Sequence, residues 1–116
     1  ISAREFASRL QKMFGGCPVR FAPGMRRIRK AAICSGSGGS LLSYVKKHNC
    51  DAYITGDVKH DVWLDAVSSG ISLFDCGHYY TERISAEYLA KLLRTVSYGL
   101  RSEQAVSSSD AVQYIF

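Results

Sequence analysis

The sequence predicts an α/β fold with a mixed, largely parallel sheet flanked by helices. Three short apolar strands, at residues 28–34, 51–55 and 71–74, alternate with helical segments between residues 28 and 98. This alternation favours βαβ units, whose right-handed crossovers place successive strands in parallel. The composition agrees, since 47% of the 116 residues are hydrophobic and 22% are charged, which suits one compact domain.

Residues 1–25 are predicted to form a leading helix and a short strand. Ser2 and Glu5 have the spacing of a capping box, and the pair Gly15-Gly16 ends the helical pattern. Residues 18–22 then form a short strand candidate before a Pro-Gly turn. Flanking strands of this kind are expected to pair antiparallel, which is why the sheet is predicted to be mixed.

The central elements follow from apolar spacing and from glycine positions. The strand at 28–34 leads through small residues into a helix at 41–48, and the strand at 51–55 follows. Next, a helix at 60–68 is predicted to bury Val62, Trp63 and Val67.

The last third of the sequence predicts two helical segments and a strand. After the strand at 71–74, a loop leads into a helical turn that ends at Glu82. Ser85 is predicted to cap a separate, longer helix with an apolar stripe of leucines. Residues 112–116 are predicted to form a final strand.

The positive charge is concentrated near the start of the sequence. The formal net charge is +5, and residues 1–30 carry eight basic side chains against Glu5 alone. Such a segment suits phosphate groups of a nucleotide or a nucleic acid. A solvated surface is the favoured interpretation, because these basic residues lack the interleaved aromatic side chains of a base-stacking surface. They are Arg4, Arg9, Lys12, Arg20, Arg26, Arg27, Arg29 and Lys30.

Cysteine spacing and hydropathy indicate the cellular setting. Cys17, Cys34, Cys50 and Cys76 include no Cys-x-x-Cys pair, so a reduced, cytoplasmic setting is expected and a four-cysteine zinc site is not favoured. No run approaches the ~20 apolar residues of a membrane span, so no membrane association is expected. The sequence opens at Ile1 directly into a helical pattern, which predicts missing upstream sequence.

Polar loops follow each of the three predicted parallel strands. Ligands of open α/β sheets bind beyond the carboxyl ends of the strands, so these loops are expected to converge at one edge. The first loop consists of Ser35, Gly36, Ser37, Gly38, Gly39 and Ser40, and the others are residues 55–57 (TGD) and 75–78 (DCGH).

The Ser/Gly-rich loop at 35–40 is a candidate phosphate or substrate loop. A strand that feeds a helix N-terminus presents free backbone amides and the positive end of the helix dipole. The loop is not followed by Gly-Lys-Ser/Thr and does not match G-x-G-x-x-G in register. A tight structural turn is therefore the favoured alternative.

His78 and Glu82 are candidate metal ligands. Residues four apart on a helix share a face, so the imidazole and the carboxylate can point at one ion. This pair of donors suits Zn, Mn or Fe better than Ca. Taken alone, His-x-x-x-Glu is more often a surface pair, and two ligands do not hold a transition metal tightly. Further ligands must then come from elsewhere.

Three other polar residues are candidates to support these ligands. Asp57 could orient a ligand, bind water or cap the next helix, and capping is the favoured role. Asp75 is a candidate hydrogen-bond partner for His78. His60 is either an acid/base group or an exposed residue in the first turn of a helix, and the sequence does not separate these roles.

Three motifs in this order resemble the C-terminal half of the NIF-three-like family, whose members are often labelled GTP cyclohydrolase 1 type 2 homologues. The motifs are residues 32–40 (AICSGSGGS), residues 51–57 (DAYITGD), and Gly77-His78 followed by Glu82. The resemblance covers residues 26–116, which are thereby identified as a C-terminal, metal-contributing α/β half.

The resemblance implies two intertwined halves, a dinuclear metal centre at their junction and ring-shaped hexamers. In the family the Gly-His-x-x-x-Glu segment supplies two ligands, which correspond to His78 and Glu82. Other ligands, including adjacent histidines, come from the first half, and this sequence contains no His-His pair. The expected partners are therefore the missing N-terminal half and further copies of the chain. Many relatives carry a histidine where this chain has Asp61, and His60 is a candidate substitute.

Two functions are expected from these observations. The first is a metal-dependent hydrolase with two divalent ions per complete site and a nucleotide such as GTP as candidate substrate. The second is a non-catalytic, metal-binding assembly or regulatory protein that docks partners or nucleic acid through residues 1–30. Turnover of a nucleotide favours the first, and steeply salt-dependent binding to nucleic acid favours the second.

Overall fold

A four-stranded sheet lies between two layers of helices in the computed structural model, which describes residues 1–96, 99, 101–105 and 109–115. The strands are β1 (Arg20–Ala22), β2 (Ala31–Ser37), β3 (Ala52–Gly56) and β4 (Ser72–Asp75). The helices are α1 (Ala3–Met13), α2 (Leu42–Lys47), α3 (His60–Ser68) and α4 (His78–Val96), and a 3₁₀ turn at Gly39–Leu41 precedes α2.

The sheet has the order β1-β4-β3-β2 and is mixed. Strand β3 pairs in parallel with β2 and with β4, whereas β1 pairs antiparallel with β4. The predicted α/β fold with a mixed, largely parallel sheet is confirmed. Because β1 joins the sheet, the leading segment is part of the same structural unit as the strands that follow it.

The two central strands, β3 and β4, are buried on both faces of the sheet. On one face Ile54 and Phe74 pack beneath α1, where the ring of Phe6 meets Phe74 edge-on at 5.2 Å. On the other face Tyr53 and Leu73 pack beneath α2 and α3. Burial of each large apolar side chain stabilises the fold by roughly 1.5–3 kcal/mol. These two strands therefore anchor the loops that follow them.

Strand β2 has the length that the sequence indicates but lies three residues later in the chain, beginning at Ala31 in place of residue 28. It continues to Ser37, and its register against β3 shifts between Ile33 and Ser37. Gly36 lies within this irregularity with φ of +64°, a conformation that residues with a Cβ rarely adopt. Half of the predicted Ser/Gly loop is consequently strand, because glycine permits the bulge that keeps the strand paired.

The prediction of a separate helix beginning at Ser85 is wrong, because α4 runs without a break from His78 to Val96. This segment contains neither Gly nor Pro, so nothing in it interrupts the helix. Burial on α3 also differs from the prediction, since Ala66 is the buried residue and Val67 is 44% exposed. Within the described part of the chain, no helix combines the length and the apolar character needed to cross a membrane.

The predicted final strand at 112–116 is absent among residues 112–115, and Phe116 lies outside the described residues. The prediction rested on β-branched and aromatic side chains, which form a strand only where a partner strand pairs with them. Here the Val112 amide and the Tyr114 hydroxyl both donate to the carboxylate of Asp110, and Tyr114 also borders a recess with Arg20, Asp75 and Gly77.

A buried carboxylate fixes the opposite end of the sheet, where β2 and β3 begin. Oδ2 of Asp51 accepts hydrogen bonds from the amides of Arg29, at 3.1 Å, and Lys30, at 3.0 Å. The carbonyl of Lys30 accepts in return from the Asp51 amide at 2.8 Å. The two backbone hydrogen bonds lower the pKa of Asp51, and the charges of Arg29 and Arg26 lower it further.

The substitution Asp51→Asn is expected to destabilise the chain by about 1–3 kcal/mol at neutral pH, because an amide replaces a charged acceptor of two hydrogen bonds. Because the pKa of Asp51 is lowered in the folded state, its ionised carboxylate stabilises the fold above the unfolded pKa of about 3.9. This stabilisation is lost as the pH falls through the pKa of Asp51 in the folded state. The difference in unfolding free energy between the unsubstituted chain and Asp51→Asn should therefore shrink below about pH 4.

Urea unfolding of both proteins between pH 3 and 7 measures this difference. Asp61→Asn is the matched control, since Asp61 is exposed in the first turn of α3 and its loss is expected to cost under ~1 kcal/mol. A difference for Asp51→Asn that stays constant across this pH range would contradict the assignment.

Candidate metal centre

His78 and Glu82 face each other in the first turns of α4. Nε2 of His78 lies 3.0 Å from Oε2 of Glu82, and the two side chains are 45% and 52% exposed. The i, i+4 spacing places both on one face of the helix, as the sequence predicts. The pair is open to the surface and not sealed in apolar packing, so other groups can approach it.

Asp57 holds the other nitrogen of the imidazole. Its Oδ2 lies 2.7 Å from Nδ1 of His78, so the ring lies between the carboxylates of Asp57 and Glu82. The backbone of Asp57 has φ of +51°, a left-handed conformation that Asp tolerates better than most residues. This turn directs the side chain back across the sheet edge to His78. Of the roles weighed for Asp57, orienting His78 is the one that this contact supports.

The two carboxylates favour the charged form of the imidazole. The hydrogen bond to Asp57 raises the pKa of His78, desolvation opposes it, and the charges of Glu82 and Asp57 raise it further. Asp57 holds the proton on Nδ1, so a metal ion would bind Nε2, the nitrogen that faces Glu82, by displacing the proton there.

The donor chemistry of the pair fits a divalent transition metal. Nε2 of His78 and Oε2 of Glu82 form a hydrogen-bonded ion pair at 3.0 Å, a separation close to the ~3.0–3.4 Å between two ligands that each lie ~2.1 Å from one ion. An imidazole whose far nitrogen donates to a carboxylate is a common arrangement of metal-binding histidines. Within residues 1–96, 99, 101–105 and 109–115, however, no group of three or more His, Cys, Asp or Glu side chains could hold a metal ion. The pair thus fits part of a metal site.

Asp75 joins the two loops that carry Asp57 and His78. Its Oδ2 accepts from the amide of Val58 at 3.0 Å, next to Asp57, and its Oδ1 accepts from the amide of Gly77 at 2.9 Å, next to His78. Arg20 on β1 forms an ion pair with the same carboxylate, which is only 4% exposed. Asp75 was a candidate partner of His78, and its hydrogen bonds run instead to the backbone of these loops.

Two glycines allow the close approach of the segments around His78. A Cβ on Gly36 would lie 2.2 Å from Oε1 of Glu82 and 3.1 Å from Nε2 of His78. A Cβ on Gly56 would lie 2.7 Å from the carbonyl carbon of Gly77. Any side chain at these positions would push the ligand pair or its supporting backbone away.

The Ser/Gly loop is held in place by two buried threonine hydroxyls. The amide of Gly36 donates to Oγ1 of Thr81 at 2.9 Å, and the amide of Gly38 donates to Oγ1 of Thr55 at 2.9 Å. Thr55 donates in turn to the carbonyl of Gly36 at 3.1 Å. These two amides are used inside the fold, which supports the structural-turn interpretation for this part of the loop.

The remainder of the loop borders a cavity of about 260 Å³ beside Asp57. Lys59 contributes a cation to it, while His60 is exposed as the first residue of α3 and is not among the lining residues. Ser35 is exposed on β2. The cavity is lined by Ser37, Gly39, Ser40, Asp57, Lys59, Asp61 and Val62.

Sequence reasoning missed Arg20, Thr55, Thr81 and Lys59 as residues that shape this site. Thr55 precedes Gly56 in a quoted motif, so a search for hydroxyls next to glycines could have found it, whereas Thr81 contacts Gly36 across 45 residues and gives no such signal. Arg20 gives no local signal, because its partner is 55 residues away in the chain.

Comparison with known proteins identifies relatives over nearly the whole chain. The sequence profile of the family described as Duf34/NIF3 (NGG1p interacting factor 3) matches residues 1–111. A Haemophilus influenzae protein named GTP cyclohydrolase 1 type 2 homolog is 31% identical over 94 residues, which are 80% of this chain and 38% of the relative. A Campylobacter jejuni protein of the same name is 42% identical over 73 residues, which are 63% of this chain and 29% of the relative.

The fold is likewise similar to solved structures. The crystal structure of Staphylococcus aureus protein SA1388 matches with a TM-score of 0.85 and 29% identity, over 99% of this chain and 39% of that chain. The present chain therefore spans well under half the length of the relatives and of the structure that it resembles.

The substitution Asp75→Asn is expected to destabilise the chain by about 1–3 kcal/mol, because an amide nitrogen would face a backbone N–H in place of a carboxylate oxygen. The amide resonances of Val58 and Gly77 should shift together, since both donate to this carboxylate. Urea unfolding and ¹H–¹⁵N spectra measure the two effects.

Asp65→Asn is the matched control for this prediction. Asp65 also pairs with a cation, Lys46, but it is exposed, so its loss is expected to cost at most ~1 kcal/mol. Equal effects of the two substitutions would argue against a bridging role for Asp75.

Proposed function

This chain belongs to the Duf34/NIF3 family, and we propose that it supplies His78 and Glu82 to a divalent metal centre completed by residues outside it. We propose further that the complete protein is a metal-dependent hydrolase acting on a nucleotide. The observation that carries this proposal is the 3.0 Å approach of Nε2 of His78 to the Glu82 carboxylate, with Asp57 on Nδ1.

The exposure of the ligand pair supports completion from outside the chain. Both side chains are about half exposed, and the described residues contribute no third ligand. Two protein ligands are too few for tight binding, since catalytic zinc sites use three. The expected metals are Zn, Mn or Fe, with two ions per complete site, because the donors are an imidazole and a carboxylate.

The residues of this chain would have separate roles in such a site. Divalent ions in a dinuclear centre supply Lewis acidity to a substrate oxygen and to the attacking water. Asp57 would keep the proton on Nδ1 of His78, so that Nε2 is the nitrogen that gives up its proton and binds the metal. Asp75 keeps the loops of Asp57 and His78 at a fixed spacing, which limits the reorganisation needed when a ligand arrives.

The cavity beside Asp57 supports a phosphate-bearing substrate. Lys59 supplies a positive charge there, and the hydroxyls of Ser37 and Ser40 can donate hydrogen bonds to phosphate oxygens. Asp57 and Asp61 lie in the same cavity, so the phosphate would bind on the side of Lys59. Relatives that carry the name GTP cyclohydrolase 1 type 2 homolog are consistent with a nucleotide substrate.

A homo-oligomer, with a hexamer as the specific expectation, is part of the same proposal.

The metal content of the intact gene product tests the assignment of the ligands. His78→Ala and Glu82→Ala should each reduce the bound metal, measured by plasma mass spectrometry after dialysis. Asp57→Asn should retain the ligands yet weaken metal affinity about 10–100-fold, because it removes the carboxylate that orients the imidazole. Circular dichroism checks that the folds are equal.

His48→Ala is the control for these variants, because His48 is an exposed histidine at the end of α2 and is expected to leave the metal content unchanged. Unchanged metal in His78→Ala would falsify the ligand assignment. Bound metal without turnover of any nucleotide would favour the metal-binding assembly protein over the hydrolase.

A further inference from the structure

A second recess lies between β2 and α2, away from the residues of the candidate metal centre. Its volume is about 180 Å³, and exposed side chains including Ile33 and Tyr44 form its walls. Pockets for whole cofactors or drug-sized ligands usually measure ~300–1,000 Å³, so this groove has room for one small planar group. It is lined by Ala32, Ile33, Cys34, Leu41, Tyr44, Val45, His48, Cys50 and Tyr53.

Basic side chains border one end of this groove. Nζ of Lys30 donates to the carbonyl of His48 at 2.6 Å, which ties the segment before β2 to the end of α2. Lys47 is exposed next to His48, and Arg29 is exposed next to Lys30. Lys30 therefore lies at the His48 end of the groove, and we call it, with its exposed neighbour Arg29 and with Lys47, the basic rim.

Among the described residues, no ion pair joins a carboxylate to Arg29, Lys30 or Lys47. Asp51 is the acidic residue closest in sequence, but it is buried and accepts the backbone amides of Arg29 and Lys30. Lys46, by contrast, is paired with Asp65 and is not counted as part of the rim. The charges of Lys30 and Lys47 are thus available to an anionic partner, and so is that of Arg29, although it also acts on the buried carboxylate of Asp51.

We propose that this groove and its rim bind single-stranded nucleic acid. One base lies in the groove against Tyr44 and His48, and the flanking phosphates pair with Arg29, Lys30 and Lys47. Aromatic platforms beside a basic track are the usual means of binding single strands without sequence preference. A duplex fits less well, because its bases are stacked and paired and do not present a free face to the groove. This surface uses none of the residues proposed to bind metal.

Fluorescence anisotropy with a labelled oligothymidylate of about 12 nucleotides tests the proposal. Binding should weaken between about 50 and 200 mM salt, with a slope of log K against log salt near −2 for three phosphate contacts at ~0.7 each. Tyr44→Ala should weaken binding by about 5–150-fold, the usual range for loss of one stacked base. Lys47→Gln should reduce the salt slope by about 0.7.

Matched variants on other helices provide the controls. Tyr88→Ala removes an equally exposed tyrosine, at 64% against 61% for Tyr44, from α4. Lys12→Gln removes an exposed lysine from α1. Both should leave the affinity and the salt slope unchanged, and Tyr44 and Lys47 are exposed enough for their variants to fold.

Three outcomes would overturn the proposal. They are absence of binding at about 50 mM salt, equal affinity for a duplex of the same length, and equal effects of Tyr44→Ala and Tyr88→Ala. A change of oligomeric mass in Tyr44→Ala without any nucleic-acid binding would assign the groove to a second copy of the chain instead.

Discussion

The carboxylate of Asp75 is the interaction on which the arrangement of the candidate metal centre depends. It is buried at the end of β4 and accepts hydrogen bonds from two loops, through the amide of Val58 after Asp57 and through the amide of Gly77 before His78. A buried carboxylate is costly without partners, and here backbone amides and the guanidinium of Arg20 satisfy it. The cost of burial is offset only when both loops are in place, so each loop stabilises the position of the other.

The parts of the fold that follow local patterns were predictable, and the parts that need a distant partner were not. The apolar strands, the helix at 60–68 and the i, i+4 pair of His78 and Glu82 follow from spacing within a few residues. The contact of Asp57 with His78 spans 21 residues, and the pairing of Arg20 with Asp75 spans 55, so no local pattern indicates either. The strand at 112–116 was predicted from propensity and from its resemblance to the family's last strand, and neither reveals whether a pairing edge is available.

The charge distribution near Tyr44 also depends on contacts between distant residues, which the linear sequence does not reveal. In the linear sequence the basic residues of the first thirty positions lack neighbouring aromatic rings, which favoured a solvated surface. The fold brings Lys30 against the end of α2, where Tyr44 and His48 lie. The candidate metal centre and the groove near Tyr44 lie at opposite edges of the sheet. Helix α4 starts at the carboxyl ends of the parallel strands, whereas α2 ends at the opposite edge. Lysines at the end of α2 complement the negative end of its dipole.

The order of the strands has a consequence for how the chain folds. β1 precedes the other strands in the chain but lies beside β4, so it can enter the sheet only after residue 75 has been synthesised. Closing a loop of this length costs more entropy than joining β2 to β3 or β3 to β4, so docking of β1 is expected to come late. Because Arg20 arrives with β1, the loops that position His78 would reach their final rigidity in the last step of folding.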